Sequence, residues 1–214
     1  MRFNSHVEAV VDSTVRLVNA VTPGQDGGRD HPAPAGDDLR EAVVGAVRYD
    51  GYEPAPSPRE VAALAVEVAH ARRVVEALDD GDEDTAADLV NAMLRRTAAH
   101  PELDRRDDGG WSVHFHGPDT TFAHGWAAGI AAGLAMAIGG DLGDRLGVCR
   151  APACDRVWVD RSRNGHRRFC STRCQNRVKA AAHRLRTAPA GPGPTPGQAA
   201  SSRAGAHRTG RSPA

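Results

Sequence analysis

The chain holds four cysteines, Cys149, Cys154, Cys170 and Cys174, and their spacing is the strongest chemical signal in it. Four residues separate the first pair, fifteen follow, and three separate the second pair. Two close pairs at such a distance can set four thiolates at about 2.3 Å around one Zn²⁺ and complete a tetrahedron. One structural zinc ion is therefore the expected cofactor. A site with all four positions taken by thiolate has none left for water or substrate, so it should stabilise a fold, not catalyse hydrolysis.

Other chemistry-bearing residues are sparser. His114 and His116 lie two apart in an alternating stretch, so they share a face and could bind a ligand or a second metal, or simply sit at the surface. Arg72 and Arg73 read as a solvated helix face. Asp79, Asp80, Asp82 and Asp84 fall in a helix connection and lack a calcium-loop pattern. The chain contains no nucleophile–base set, phosphate loop or dinucleotide fingerprint, so no enzymatic activity is expected.

The formal net charge of zero conceals a division. Residues 1–149 hold 13 Lys+Arg against 25 Asp+Glu, a net of −12, whereas residues 150–187 hold 11 against 2, a net of +9. The last 27 residues add three arginines and no acid. Such asymmetry is expected where one segment faces a polyanion and the rest must not. The beginning, MRFNSHVEAV, has no basic stretch leading into an apolar run, and Gly125–Gly140 is too short and too rich in Gly and Ala to span a bilayer. The reading is a soluble cytoplasmic protein, nucleoid-associated when bound to DNA, with no membrane partner.

The elements that must position these residues are mainly helical. Val7, Val10, Val11, Val18 and Val21 give the first helix, stopped by Pro23-Gly24. Residues 24–36 read as an exposed loop. Leu39, Val43, Val44 and Val47 mark a second helix that Asp37 or Asp38 could cap. Ser57-Pro58-Arg59-Glu60 is a capping box with Pro in the first helical position, and Val61, Leu64, Val68, Ala71, Val75 and Leu78 continue its face. Gly81 ends that helix. Asp84 or Thr85 opens the next, which Pro101 closes, giving a helical hairpin. Trp111–His116 alternates like a strand. From Thr121 a last core helix runs to about Ile138. With 40% hydrophobic but only 4% aromatic residues, the core must be built from Val, Leu and Ala.

Around the cysteines, Val157-Trp158-Val159 reads as a strand, Asn164-Gly165 as a hairpin turn and Arg167-Arg168-Phe169 as the return. Ser171 or Thr172 can cap a helix to about Arg186. On it Cys174, Val178, Ala181 and Leu185 fall within about 60° of one another as an inward face. A knuckle, a hairpin and a helix carrying the last cysteine in its first turn make a treble-clef arrangement. Residues 188–214, without apolar periodicity, read as a disordered Pro/Gly/Ala/Arg tail.

The run Cys149-R-A-P-A-Cys154, V-W-V-D-R-S-R-N-G-H-R-R-F-Cys170, S-T-R-Cys174-Q-N-R-V-K-A-A-A-H-R closely resembles the CGNR-type zinc finger, a bacterial family regarded as transcription regulators. Here the name-giving motif stands as Cys174-Gln175-Asn176-Arg177, and three residues separate the last cysteines where many members have four. Upstream, L-V-N-A-V-T-P-G and Trp111-x-x-His-Phe-His-Gly resemble the ABATE domain that usually precedes this finger. The resemblance implies an ABATE-like helical sensing domain with a short strand pair over 1–144, the finger over 145–187 and the tail over 188–214. It also draws attention to Asn19 as a ligand contact, beside the plainer reading of a local backbone partner.

The basic helix fits a major groove. Arg167, Arg168, Arg173, Arg177, Lys179, Arg184 and Arg186 are candidate phosphate contacts, with Gln175 or Asn176 reaching a base edge. Five or six phosphate contacts imply a salt slope of about −5. An exposed helix without such a role would mix in Glu, and no acid follows Arg161. The expected function is a transcription regulator with double-stranded DNA as partner, a small-molecule or stress signal sensed upstream, and a homodimer as a reasonable assembly. The rival readings are an interaction adaptor, whose basic finger docks on an acidic partner or on its own N-terminal domain, and a redox sensor working through the thiolates.

Overall fold

Helix starts are fixed where the sequence supplies side-chain acceptors. A computed structural model describes residues 5–49, 51–106, 109–140 and 142–187, and the expected tail at 188–214 lies outside these described residues. The order is α1 (Ser5–Val21), β1 (Gly24–Gln25), β2 (Asp30–His31), α2 (Gly36–Val47), α3 (Pro58–Asp79), α4 (Glu83–Thr97), β3 (His100–Arg105), β4 (Trp111–His116), α5 (Phe122–Ile138), a 3-10 turn (Gly143–Arg145), β5 (Leu146–Val148), β6 (Val157–Val159) and α6 (Thr172–Thr187). The chain divides into a unit Met1–Lys179 and a second unit Ala180–Ala214, with α6 running across the division.

The capping box forms as its residues dictate. Ser57 Oγ accepts from Glu60 N and the Glu60 carboxylate accepts from Ser57 N at 2.9 Å. The second Glu60 oxygen accepts from Phe122 N at 3.0 Å and so ties the start of α3 to the start of α5. The α4 cap is Asp82, two residues before the expected position, and its carboxylate accepts from Thr85 N at 3.0 Å. α4 ends at Thr97 because Ala98 turns left-handed at φ 47°, so Pro101 falls inside β3 instead of closing the helix. Neither Asp37 nor Asp38 caps α2. Both lie in its first turn, where their charge suits the helix dipole.

α5 packs against α1, α3 and α4. Its Ala127, Ala128, Ala131, Ala132 and Gly133 are buried, and a Cβ on Gly133 would stand 3.0 Å from Val10. Small residues therefore allow α1 and α5 to approach closely. Leu17, Val18, Val43, Val47, Leu64, Val68, Met93, Ile130 and Leu134 fill the centre without exposure above 1%. Each such side chain contributes about 1.5–3 kcal/mol by leaving water. No helix among the described residues is long and apolar enough to cross a membrane.

Three antiparallel strand pairs complete the described structure. β3 and β4 form the N-terminal region's hairpin, with His100 opposite His116 and Asp104 opposite Ser112. The segment expected as an open loop at 24–36 instead contains the β1–β2 pair. β6 pairs with β5, Val148 opposite Val157, so this hairpin closes around the first two cysteines. The turn at Asn164-Gly165 is present, but residues 167–169 form no strand with β6. The physical reason is that Arg167 N and Ser162 N are both taken by the Asp160 carboxylate, at 2.7 and 2.8 Å, which closes that loop without a ladder.

Candidate functional site

The hairpin β5–β6, the loop to Phe169 and the first turn of α6 bring the four cysteines together. Their sulfur atoms all lie within 4.8 Å of one another. Cys154–Cys170 and Cys170–Cys174 are 3.7 Å apart and Cys174–Cys154 3.6 Å. Four sulfurs at about 2.3 Å from one ion stand about 3.8 Å apart at the tetrahedron's edges, so the cluster fits one structural zinc. Burial pushes the Cys154 thiol up, against donation from the backbone N–H groups of Arg156 and Gly27. Burial likewise raises Cys170. Cys174 is held below the ordinary thiol range: burial opposes ionisation, but hydrogen bonds from Cys154, Ser171, Cys170 and Arg177 outweigh it. Gln175 follows without strain, because α6 starts at Thr172 and Gln175 N bonds Ser171 O in helical fashion, so the glycine of the motif is not required.

The zinc module is seated on the N-terminal helices by Arg156 and Asp155, which the sequence does not single out, and by Asn19, whose partners are backbone groups. Arg156 is 3% exposed and donates to the carbonyls of Asn19, Thr22 and Pro23 at 2.8, 3.0 and 3.2 Å. It thereby caps the C-terminus of α1, a helix with no basic residue in its own last turn. Asn19 completes the join: Nδ2 donates to Val157 O at 2.9 Å and Oδ1 accepts from Val157 N at 2.7 Å. Its amide thus acts as one more strand residue on the edge of β6. Asp155 accepts from Gln25 N at 3.0 Å and pairs with Arg72 at 3.3 Å. Gly24 lies so close that a Cβ there would stand 2.0 Å from the Asp155 carboxylate.

Charge complementarity runs along the same join. Arg150 pairs with Asp79 at 3.1 Å, Arg161 with Glu8 and Asp12 at 3.2 and 2.8 Å, and Arg173 with Asp26 at 2.6 Å. Of the candidate DNA contacts, Arg173 is thus engaged, Arg177 donates to Pro152 O at 2.6 Å, and Arg167 donates to Val159 O at 2.9 Å, Phe169 O at 3.0 Å and Cys170 O at 2.6 Å. The side chains of Arg168, Gln175, Asn176 and Lys179 have no partner among the described residues, and Arg168, Asn176 and Lys179 are exposed. In the second unit Arg184 and Arg186 are exposed, and Leu185, expected on the inward face, is 81% exposed. Trp158 is buried and donates to Val148 O at 3.1 Å.

At β4 a cavity of about 600 Å³ opens between α1, the Tyr49–Tyr52 segment and α5. Tyr49, Tyr52, Phe115, Phe122 and Trp126 line it, five of the nine aromatic residues in the chain. The two tyrosines stack at 4.9 Å, and Trp126 Nε1 donates to the Tyr52 hydroxyl at 3.2 Å. His114 and His116 also line this cavity, so the structure brings together two of the three candidate ligand residues. The third, Asn19, has both amide groups committed to Val157. His116 Nε2 lies 3.0 Å from Asp104, and His114 lies 3.8 Å from the same carboxylate.

The CGNR zinc finger family matches residues 145–187 and the ABATE family matches residues 12–144. No curated protein matches the chain. Since the ABATE match alone spans more than half of the sequence, the chain belongs to the ABATE family, described as "Putative stress-induced transcription regulator", and carries a CGNR zinc finger behind that domain.

Proposed function

We propose that this protein is a DNA-binding transcription regulator, in which a treble-clef zinc finger meets duplex DNA through the free face of α6 and the helical region senses an effector. The observation that carries the reading is the exposed set Arg168, Asn176 and Lys179 with Gln175, whose side chains have no partner among the described residues, whereas Arg167, Arg173 and Arg177 are engaged. Arg168 and Lys179 suit phosphates, and the amides of Gln175 and Asn176 suit a base edge. Arg184 and Arg186 continue the basic sequence. Arg167, Arg173 and Arg177 take positioning roles instead, because each holds a loop or neighbour in place.

The aromatic cavity is the sensing site in this account. Five aromatic side chains with His114 and His116 at one edge favour a flat, mainly apolar effector with one polar group. A change at α1 would reach the finger through Asn19 and Arg156, since α1 both lines the cavity and holds β6. The proposed role is regulatory and non-enzymatic, because the four-thiolate site offers no open coordination position. A second reading, the adaptor, draws on the Arg173–Asp26 pair, which has a basic finger residue already seated on an acidic segment.

Selection from a random duplex pool with zinc-loaded full-length protein tests the choice. A recovered consensus sequence supports the regulator. Failure to retain any duplex, together with retention of an acidic protein partner, would overturn it in favour of the adaptor.

A further inference from the structure

Strand register places five metal-ligating side chains on one face of the β3–β4 hairpin. His100, Glu102 and Asp104 alternate along β3, and His114 and His116 alternate along β4. His100 lies opposite His116, and Glu102 opposite His114. Residues two apart on a strand, and residues paired across an antiparallel ladder, share a face. We propose that this face binds a second metal ion, a divalent cation of the zinc, cobalt or nickel class, with Asp104, His116 and Glu102 as its ligands and His114 and His100 beside them.

The donor geometry carries the proposal. One donor atom from each of Glu102, Asp104 and His116 lies within 4.8 Å of the other two. His116 Nε2 and the Asp104 carboxylate are 3.0 Å apart. Two donors each at about 2.1 Å from one ion stand about 3.0 Å apart at a right angle and about 3.4 Å apart at the tetrahedral angle. The existing spacing is thus that of a ligand pair.

Charge points the same way. Among the described residues neither Glu102 nor Asp104 pairs with Lys or Arg, and their ionic partners are imidazoles alone. Arg105, next to Asp104, lies on the other face, stacked over Trp111 at 5.4 Å. Two carboxylates with neutral imidazoles offer a −2 site to a divalent ion. Imidazole in the set favours zinc-class metals over Mg²⁺ or Ca²⁺, which take oxygen. The ion would stand at the edge of the aromatic cavity, since His114 and His116 line both.

The test is calorimetric titration of Zn²⁺ into full-length protein whose finger already holds its zinc, with bound metal counted by mass spectrometry. One further equivalent is expected. The double variant Asp104→Asn, His116→Gln should bind it at least about tenfold more weakly, the lower end of what loss of even an outer-shell partner does, while keeping the finger's zinc. Line broadening of the His114 and His116 ring signals by Co²⁺ in the wild-type protein guards against a misfolded variant. No further equivalent, an equivalent untouched by the double substitution, or Co²⁺ that leaves both rings sharp would each overturn the proposal.

Discussion

The helical core and the zinc module hold themselves together by different physics. The core buries long runs of Val, Leu and Ala from α1, α3, α4 and α5, and its stability is spread over many equivalent contacts. Among the described residues, the cluster around the cysteines buries Ala151, with Phe169 and Val178 half-covered. So small an apolar set cannot offset the entropy of ordering the chain. Zinc therefore supplies the cohesion around the cysteines, and the module is held against the core by Leu146, Val157 and Val159, which join that core, and by a few polar groups, Arg156, Asn19, Asp155 and Asp79. Distributed burial tolerates the loss of one contact. The polar part of the join, where each hydrogen-bonded group has its own named partners, does not.

The largest effect expected from this contrast is that of metal removal. Structural zinc binds zinc-finger peptides with about 10–16 kcal/mol, so stripping it or changing Cys174 to Ser should unfold the module. Amide signals from 146–179 should collapse in a proton–nitrogen NMR spectrum while those of α3 and α5 persist. Loss of both sets would mean that the core depends on the module.

Arg156→Ala comes next. It leaves three carbonyls at the end of α1 without their buried cation and the Asp155 carboxylate with Arg72 alone, and losing hydrogen bonds to a charged group costs about 1.5–3 kcal/mol. Urea unfolding should report a loss of that order. A change below about 1 kcal/mol would show that water replaces the guanidinium freely.

Asn19→Ala should cost about 1–3 kcal/mol, because it leaves Val157 N–H and C=O unpaired in a half-buried position. Exchange of the Val157 amide with deuterium should accelerate accordingly. If it does not, the edge of β6 is held by something other than Asn19.

The smallest effect lies at the start of α5. Hydrogen bonds from the Thr121 hydroxyl and backbone, followed by that of His124, pull the Asp119 carboxyl down to about 2. A depressed acid contributes stability at pH above its unfolded value, about 3.9, and the contribution is lost as pH falls toward the folded value. Titration of the Asp119 carboxyl carbon by NMR should show its midpoint near the bottom of that window, and Thr121→Ala should move it up. A midpoint at the ordinary value would remove Asp119 from the cap.

Much of this fold was legible because its signals are local. The cysteine spacing, the Ser57–Glu60 box and the valine periodicity each lie within one short stretch. The join was not, because Asn19 and Arg156 are single polar residues 137 positions apart whose partners are backbone groups. The strand pair was expected, but the position of β3 was not legible, because His-Pro-Glu-Leu-Asp-Arg has poor strand propensity and pairing with β4 overrides it. The cavity was half legible. His114 and His116 stood out by alternation, but the aromatic residues gather there from three separate segments.

The proposed contact of α6 with DNA can be measured by fluorescence anisotropy. Zinc-loaded full-length protein would be titrated onto mixed-sequence duplex across a salt series, beside the variant Arg168→Ala, Lys179→Ala. Binding is expected with a log–log salt slope that flattens by about 2 in the variant, since each phosphate contact contributes about −0.9. Absence of binding at low salt with zinc confirmed in place, or a slope unchanged by the double substitution, would contradict it.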